Sequence, residues 1–213
     1  GIFYDYIDLP RGNMTSGQSE ISLEFWIKPD EWTSDNFIWD EYIDDYWQFS
    51  ISCGKWYTRD NSTGTEGSRD NDLSLPSITE GEWHHMAFIY SVSQGIKSIY
   101  LDGEIYTSTN ISIEKLTSER DRARIGYATE GEYYDGMLDE IRISHFANSP
   151  GWIATVYVNQ LNPNDFYFIG DEECFDGQEN FNISISTGWN LISLPSNKSM
   201  NMIDIVVNYL SSN

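Results

Sequence analysis

Basic residues are scarce in this chain. Of 213 residues, 12 are Lys or Arg and 34 are Asp or Glu, a formal net charge of −22. A phosphate backbone is held by clustered cations, so nucleic acid is excluded as a partner, and anionic lipid with it. Such a surface attracts cations, Ca²⁺ above all, neutral ligands such as sugars, or a basic partner protein. Adaptation to high salt is a further account of the acidity that needs no site. No apolar run approaches the ~18 residues that span a bilayer, so direct membrane insertion is not expected. The opening residues Gly1-Ile2-Phe3-Tyr4-Asp5 lack a basic start and an apolar h-region. The expectation is a mature product or a fragment of something longer. Cysteine is limited to Cys53 and Cys174. These allow one disulfide, which an extracellular setting favours; alternatively Cys53 is a small buried hydrophobe on the strand face of Phe49 and Ile51. Histidine is rare as well. His84 and His85 are neighbours on a strand and point to opposite faces, so they do not ligate one ion, and His85 shares its face with Trp83, Ala87 and Ile89.

Apolar residues, at 39%, and aromatics, at 15%, are ample for a core. Their periodicity is that of strands. Ile21, Leu23, Phe25 and Ile27 alternate with Ser22, Glu24, Trp26 and Lys28, a half-buried strand ended by Pro29-Asp30. Phe37 to Ile51 reads as a hairpin around an acidic stretch, residues 60–82 mostly as loop, and Trp83 to Tyr90 as a strand. Asp102-Gly103 between strand-formers marks a type I′ hairpin. Arg124 to Tyr127 and Met137 to Ser144 complete a set of short strands that predicts two packed antiparallel sheets. One helix is expected at about 149–160, with Ser149 as N-cap, Pro150 at N1 and Pro163 as the stop; a strand follows at 165–169. The organisation expected is a sandwich with appended helix over 1–170, an acidic linker at 171–181, and a tail or further module at 182–213.

Several stretches, taken in order, resemble one family. Asp5-Tyr6-Ile7-Asp8-Leu9-Pro10 fits a first strand, and Glu20-Ile21-Ser22-Leu23-Glu24-Phe25-Trp26-Ile27-Lys28-Pro29 looks like the early strand ending in W-[IV]-K-P. Gly81-Glu82-Trp83-His84-His85-Met86-Ala87, Tyr100-Leu101-Asp102-Gly103, Arg124-Ile125-Gly126 and Tyr134-Asp135-Gly136-Met137-Leu138-Asp139-Glu140-Ile141-Arg142-Ile143-Ser144 follow. Together they are similar to the laminin-G-like jelly rolls among concanavalin A-like sandwiches, over residues 1–147. The resemblance implies an all-β, antiparallel two-sheet jelly-roll sandwich with one short helix after the last core strand and a small C-terminal tail. It also implies a non-catalytic recognition or adhesion module, often holding a structural Ca²⁺. The segment after residue 148, and Gly188-Trp189-Asn190-Leu191-Ile192-Ser193-Leu194-Pro195, are similar to segments of multidomain bacterial and archaeal surface proteins.

Candidate sites follow from residue chemistry. Strict alternation over Met137 to Ser144 places Asp139 on the inward face with Ile141 and Ile143. A buried carboxylate is then paired, hydrogen-bonded or metal-bound. Ca²⁺ takes about 6–8 oxygens, for which Asp139, Asp135 and Asp5 are the candidates. The competing reading has Asp139 accepting backbone N–H bonds or pairing with an Arg. Asp40, Glu41, Asp44 and Asp45 form a second, lesser cation candidate, and Glu140 with Arg142 reads as a solvated ion pair. Sugars stack on flat rings beside amides and carboxylates, which singles out Tyr42, Asp44, Tyr46 and Trp47 as a ligand platform. No E-x-D-x-x-E, G-x-S-x-G or H-E-x-x-H pattern occurs, so catalysis is not expected. Sequons at Asn13, Asn61, Asn110, Asn182 and Asn197 lean towards a glycosylated extracellular or cell-surface setting. The resulting expectation is a Ca²⁺-stabilised module binding glycan or a neighbouring surface protein. The alternative is a structural subunit of a surface layer or filament with no soluble ligand.

Overall fold

The computed structural model describes residues 5–10, 14–15, 17–34, 36–43, 46–59, 72–112, 116, 122–128 and 132–163. The chain divides into two compact units, residues 1–167 and 168–213, and every described residue belongs to the first. The expected strand at 165–169, the acidic linker and the tail lie outside the described residues. In chain order the elements are β1 (Ile7–Leu9), β2 (Glu20–Pro29), β3 (Phe37–Ile43), β4 (Tyr46–Ser52), β5 (Lys55–Thr58), β6 (Leu73–Ser74), β7 (His84–Ser91), β8 (Ile96–Leu101), β9 (Glu104–Asn110), β10 (Arg122–Ile125), β11 (Gly136–Ser144) and the helix α1 (Pro150–Leu161).

All the pairings are antiparallel. One sheet has the order β1-β10-β3-β4-β5-β6 and the other β11-β2-β7-β8-β9, the two packed antiparallel sheets expected from the strand periodicity and the jelly roll that the resemblance implies. Between the sheets lie Leu23, Phe25, Ile27, Met86 and Phe88 from the five-stranded sheet against Phe49, Ile51 and Trp56 from the six-stranded one, none more than 1% exposed. Trp56 meets Phe49 and Phe88 edge-on at 5.5 and 5.4 Å, and Phe25 stacks on Phe88 at 5.6 Å. Such offset and edge contacts are the favoured aromatic geometries. Leu73, Leu75 and Ile78, in the stretch read as loop, are also buried in this core.

Two expectations change, and Cys53 takes one of the two readings open to it. β2 is buried on both faces rather than half-buried, because α1 and its connector cover Ser22, Glu24 and Trp26. Asp40 and Glu41 are not on a solvated hairpin tip: both lie within β3 and are fully buried. Glu41 shares the inward face with Trp39 and Phe49, and its carboxylate accepts from Trp39 Nε1 (3.2 Å) and from the Thr15 hydroxyl. Cys53 is a free, buried thiol in the core, and burial pushes its pKa up to about 12. Cys174 lies outside the described residues, as does Asp45.

The Asp-Gly hairpin between β8 and β9 has both central residues at positive φ, 50° at Asp102 and 81° at Gly103, as a type I′ turn requires. Asp102 also accepts the backbone N–H of His85 (2.9 Å) and meets His84 Nδ1 (2.9 Å). A Cβ on Gly103 would stand 2.9 Å from Tyr157 Cδ1, so the hairpin glycine also gives α1 room to seat.

Candidate functional site

The outer face of the five-stranded sheet is covered in part by α1. Ser149 caps the helix, accepting the Trp152 N–H (3.2 Å), and Pro150 opens it, as the sequence predicts. Ile153 is fully buried on Ala87, Ile89 and Tyr100. The connector before the helix is stitched to β2: Ser22 Oγ donates to Phe146 O (2.7 Å) and accepts from Asn148 N (2.8 Å). Asn148 Nδ2 donates to Glu24 Oε1 at 2.5 Å. Burial raises the Glu24 pKa, against the lowering effects of the Asn148 hydrogen bond and of Arg142. His85 is 1% exposed, and desolvation lowers its pKa to about 4, keeping it neutral beneath the helix.

Beyond the last turn of α1 this cover stops, and an open groove of about 680 Å³ remains over β2 and β11. Trp26, Trp83, Asp139, Glu140, Arg142 and Gln160 line it. Trp26 forms the floor, 9% exposed, with His85 at 5.5 Å and Tyr157 stacked at 5.8 Å between ring centroids. Trp83 stands at the side, 43% exposed.

A β-bulge puts the acidic wall there. Leu138 pairs with Ile27 and Asp139 with Trp26, but the next pair is Arg142 with Glu24, so β11 carries one residue more than β2 across this step. Glu140 takes up the extra residue at φ 51°, in the left-handed region. Inward parity passes from Leu138 to Ile141 and Ile143, while Asp139, Glu140 and Arg142 face outward. The expectation of an inward Asp139 is thereby corrected: one inserted residue moves the side chains beyond it to the other face. Asp139 is exposed, and its Oδ1 accepts the N–H of Glu140 (2.8 Å), holding the bulge. Glu140 in turn accepts from Arg142 Nη2 and from Gln160 Nε2 (3.2 Å), while Gln160 Oε1 accepts from Trp26 Nε1 (2.6 Å).

The proposed calcium ligands are not brought together. Asp5 is exposed and lines a separate cleft of about 230 Å³ with Ile7, Ile125, Tyr134, Leu138 and Ile141. Asp135 is exposed in the turn before β11, where its carbonyl accepts the Asp30 N–H (3.0 Å). Asp139 faces the groove on the other side of its sheet. Among the described residues no three His, Cys, Asp or Glu side chains converge on a cation position, and these three aspartates do not fit Ca²⁺. In the tyrosine-rich hairpin, Tyr42 pairs with Trp47 and Ile43 with Tyr46 through the backbone, while Asp44 and the side chains of Tyr42, Tyr46 and Trp47 lie outside the described structure. Asn110 is exposed at the end of β9; Asn13, Asn61, Asn182 and Asn197 lie outside the described residues. A second aromatic cluster surrounds a cation: Arg124 lies over Tyr6 (5.0 Å) and Tyr127 (4.6 Å), binds Asp8 (2.7 Å), and Tyr127 stacks on Tyr133 at 4.6 Å.

Trp83 and Gln160 escaped the sequence reading as site residues. Trp83 shares a strand face with His85, which was the signal for it, and Gln160 lies three residues from Tyr157 on one helical face.

Two packed antiparallel sheets with these strand orders define a class, the jelly-roll sandwiches. The chain belongs to the concanavalin A-like lectin/glucanases superfamily, whose laminin-G-like family model matches residues 1–154. A relative in Rattus norvegicus, the sushi, von Willebrand factor type A, EGF and pentraxin domain-containing protein 1, is 24% identical over 144 residues; the match spans 50% of this chain and 4% of that protein. Domain 4 of AbnA, an extracellular arabinanase of Geobacillus stearothermophilus solved with arabinotriose, is similar with a TM-score of 0.53 at 21% identity, over 71% of this chain and 72% of that one. The ligand-binding domain of botulinum neurotoxin serotype D, solved with N-acetylneuraminic acid, is similar at 0.54 and 15% identity, over 73% of this chain and 40% of that one. These structural likenesses are likenesses of fold. No helix among the described residues is long and apolar enough to cross a membrane.

Proposed function

We propose that this chain is a non-catalytic, extracellular glycan-recognition module, and that it binds sugar in the groove between α1 and β11. The observation that carries the reading is the half-exposed Trp83 ring beside a floor of Trp26 and a wall of carboxylate, amide and guanidinium groups. The apolar face of a pyranose or furanose stacks on an indole, while Asp139 and Glu140 accept from its hydroxyls and Arg142 donates to them. The family supports the reading, as do the two similar domains solved with arabinotriose and N-acetylneuraminic acid. Glu140 is engaged by Arg142 and Gln160, which suits a carboxylate that orients a ligand rather than one that transfers a proton.

The test is calorimetric titration of a panel of soluble oligosaccharides into wild type and Trp83→Ala. Because Trp83 is half out in solvent, its removal leaves the fold intact, and it should weaken binding at least about tenfold, ~1.4 kcal/mol. Undiminished binding by Trp83→Ala would place the sugar elsewhere. Failure of every sugar with wild type would remove the glycan reading and favour a structural role in a surface assembly.

A further inference from the structure

Gln160, in the last turn of α1, commits both ends of its carboxamide to the groove. Its oxygen accepts the Trp26 indole N–H (2.6 Å), and its nitrogen donates to Glu140 Oε2 (3.2 Å). Neither partner depends on Gln160 for its position. Trp26 is held between His85 and Tyr157 on a central strand, and Glu140 is fixed by the bulge, by Asp139 through its backbone N–H, and by Arg142. An indole N–H donor and a carboxylate acceptor bridged by one amide match the donor and acceptor pattern of an amide group. A largely buried indole N–H also needs an acceptor, since leaving it bare has a real cost.

We propose that this is an acetamido subsite, that the groove selects N-acetylhexosamines among sugars, and that Gln160 fills it as a self-ligand in the free protein. The inference rests on the glycan reading of the same groove. On binding, the acetamido carbonyl replaces Gln160 Oε1 as acceptor of the Trp26 N–H. The acetamido N–H replaces Gln160 Nε2 as donor to Glu140. Val156 and Leu161, which also line the groove, give the acetyl methyl an apolar wall. A free amine has no carbonyl for the indole. A hydroxyl has its donor and acceptor on one atom and does not span the two fixed partners. The exchange is one hydrogen bond for another, so Gln160 is a competitor whose removal favours the ligand.

The experiment is calorimetric titration of the full chain with triacetylchitotriose, its deacetylated form and cellotriose, on wild type, Gln160→Ala and Glu140→Gln, with the Trp26 indole N–H followed by NMR. Wild type should prefer the acetylated trisaccharide. Gln160→Ala should raise the ratio of acetylated to unacetylated affinity about tenfold, as two modest hydrogen bonds to a competitor are removed. Against the neutral cellotriose, Glu140→Gln should lower the preference for the acetylated sugar, and the Trp26 indole resonance should shift only with the acetylated sugar. A ratio unchanged by Gln160→Ala, or equal weakening of all three sugars, overturns the acetamido subsite while leaving a glycan groove. Absence of binding by all three sugars to all three proteins overturns the acetamido subsite, and the glycan reading falls with it only if the wider oligosaccharide panel fails as well.

Discussion

The two faces of the five-stranded sheet are both buried along β2 and β7, yet by different means. The inner face meets a second sheet, and Leu23, Phe25, Ile27, Met86 and Phe88 fill the space with apolar volume alone. The outer face meets one helix, and what it buries is mixed: Ser22, Glu24, Trp26 and His85 as well as Ala87 and Ile89. A sheet covers a sheet along its whole length, whereas a helix of 12 residues ends while strand surface remains. The inner face is therefore closed and governs stability. The outer face is half closed, carries polar groups that need partners, and opens into a groove where its cover ends.

The contrast is broken most strongly from the inside. Phe88 is fully buried with Phe25 and Trp56 against it, so Phe88→Ala should lower the unfolding free energy by about 3–5 kcal/mol in urea titrations. A loss near ~1 kcal/mol would mean that the inter-sheet space collapses around the missing ring. The outer face should respond to pH instead. His85 has its pKa lowered to about 4, chiefly by desolvation and further by Arg142, while Asp102 opposes the shift. The unfolded chain titrates this histidine at about 6.5, so between about 4 and 6.5 it binds more protons than the native state, and stability rises with pH across that window. The contribution is complete above the upper limit and is lost as pH falls to the lower one, at most about 3 kcal/mol. Glu24, raised by burial, works in the opposite direction, favouring low pH. Unfolding measured across this range should give wild type a more positive slope of stability against pH than His85→Gln, in which the Glu24 contribution remains. Equal slopes would show that His85 is solvated under the helix.

The two faces also differed in how far they were legible. Alternation on β2 identified the inner face, because period-two patterning reports which side meets the core, whereas on β7 it grouped Trp83, His85, Ala87 and Ile89, the face that α1 covers. Local chemistry identified the Asp102-Gly103 turn and the Ser149-Pro150 helix start, since both signals act within a few residues. Alternation does not report what covers the other side, and so Glu24 and Trp26 passed as half-exposed. The bulge was the decisive miss. Leu138, Ile141 and Ile143 are spaced three and then two apart, a visible break in parity, but strict alternation carried Asp139 inward and built a calcium site around it. Asp40 and Glu41 misled for a related reason: an acidic stretch in a hairpin looks solvated until the opposing strands and Thr15 are in place. Gln160 was out of reach, because its partners lie on β2 and β11, more than a hundred and about twenty residues away.

The smallest effect is the sharpest test of the outer face. Glu140 holds φ 51° without being glycine, a conformation that costs an ordinary L-residue about 1 kcal/mol. Glu140→Ala removes the carboxylate and keeps the backbone cost; Glu140→Gly removes both. The Arg142 ion pair is half exposed and is lost in either variant, so it cancels from the comparison. Glu140→Gly should therefore be more stable than Glu140→Ala by about 1 kcal/mol, less the ~0.5 kcal/mol or so by which glycine loosens the unfolded chain. Chemical denaturation of the pair reads this directly. If alanine is the more stable of the two, the bulge relaxes once the carboxylate is gone, and Glu140 is held left-handed by Arg142 and Gln160. If glycine is the more stable, the bulge belongs to the strand, and β11 presents its two acidic residues to the groove whether or not a ligand is there to meet them.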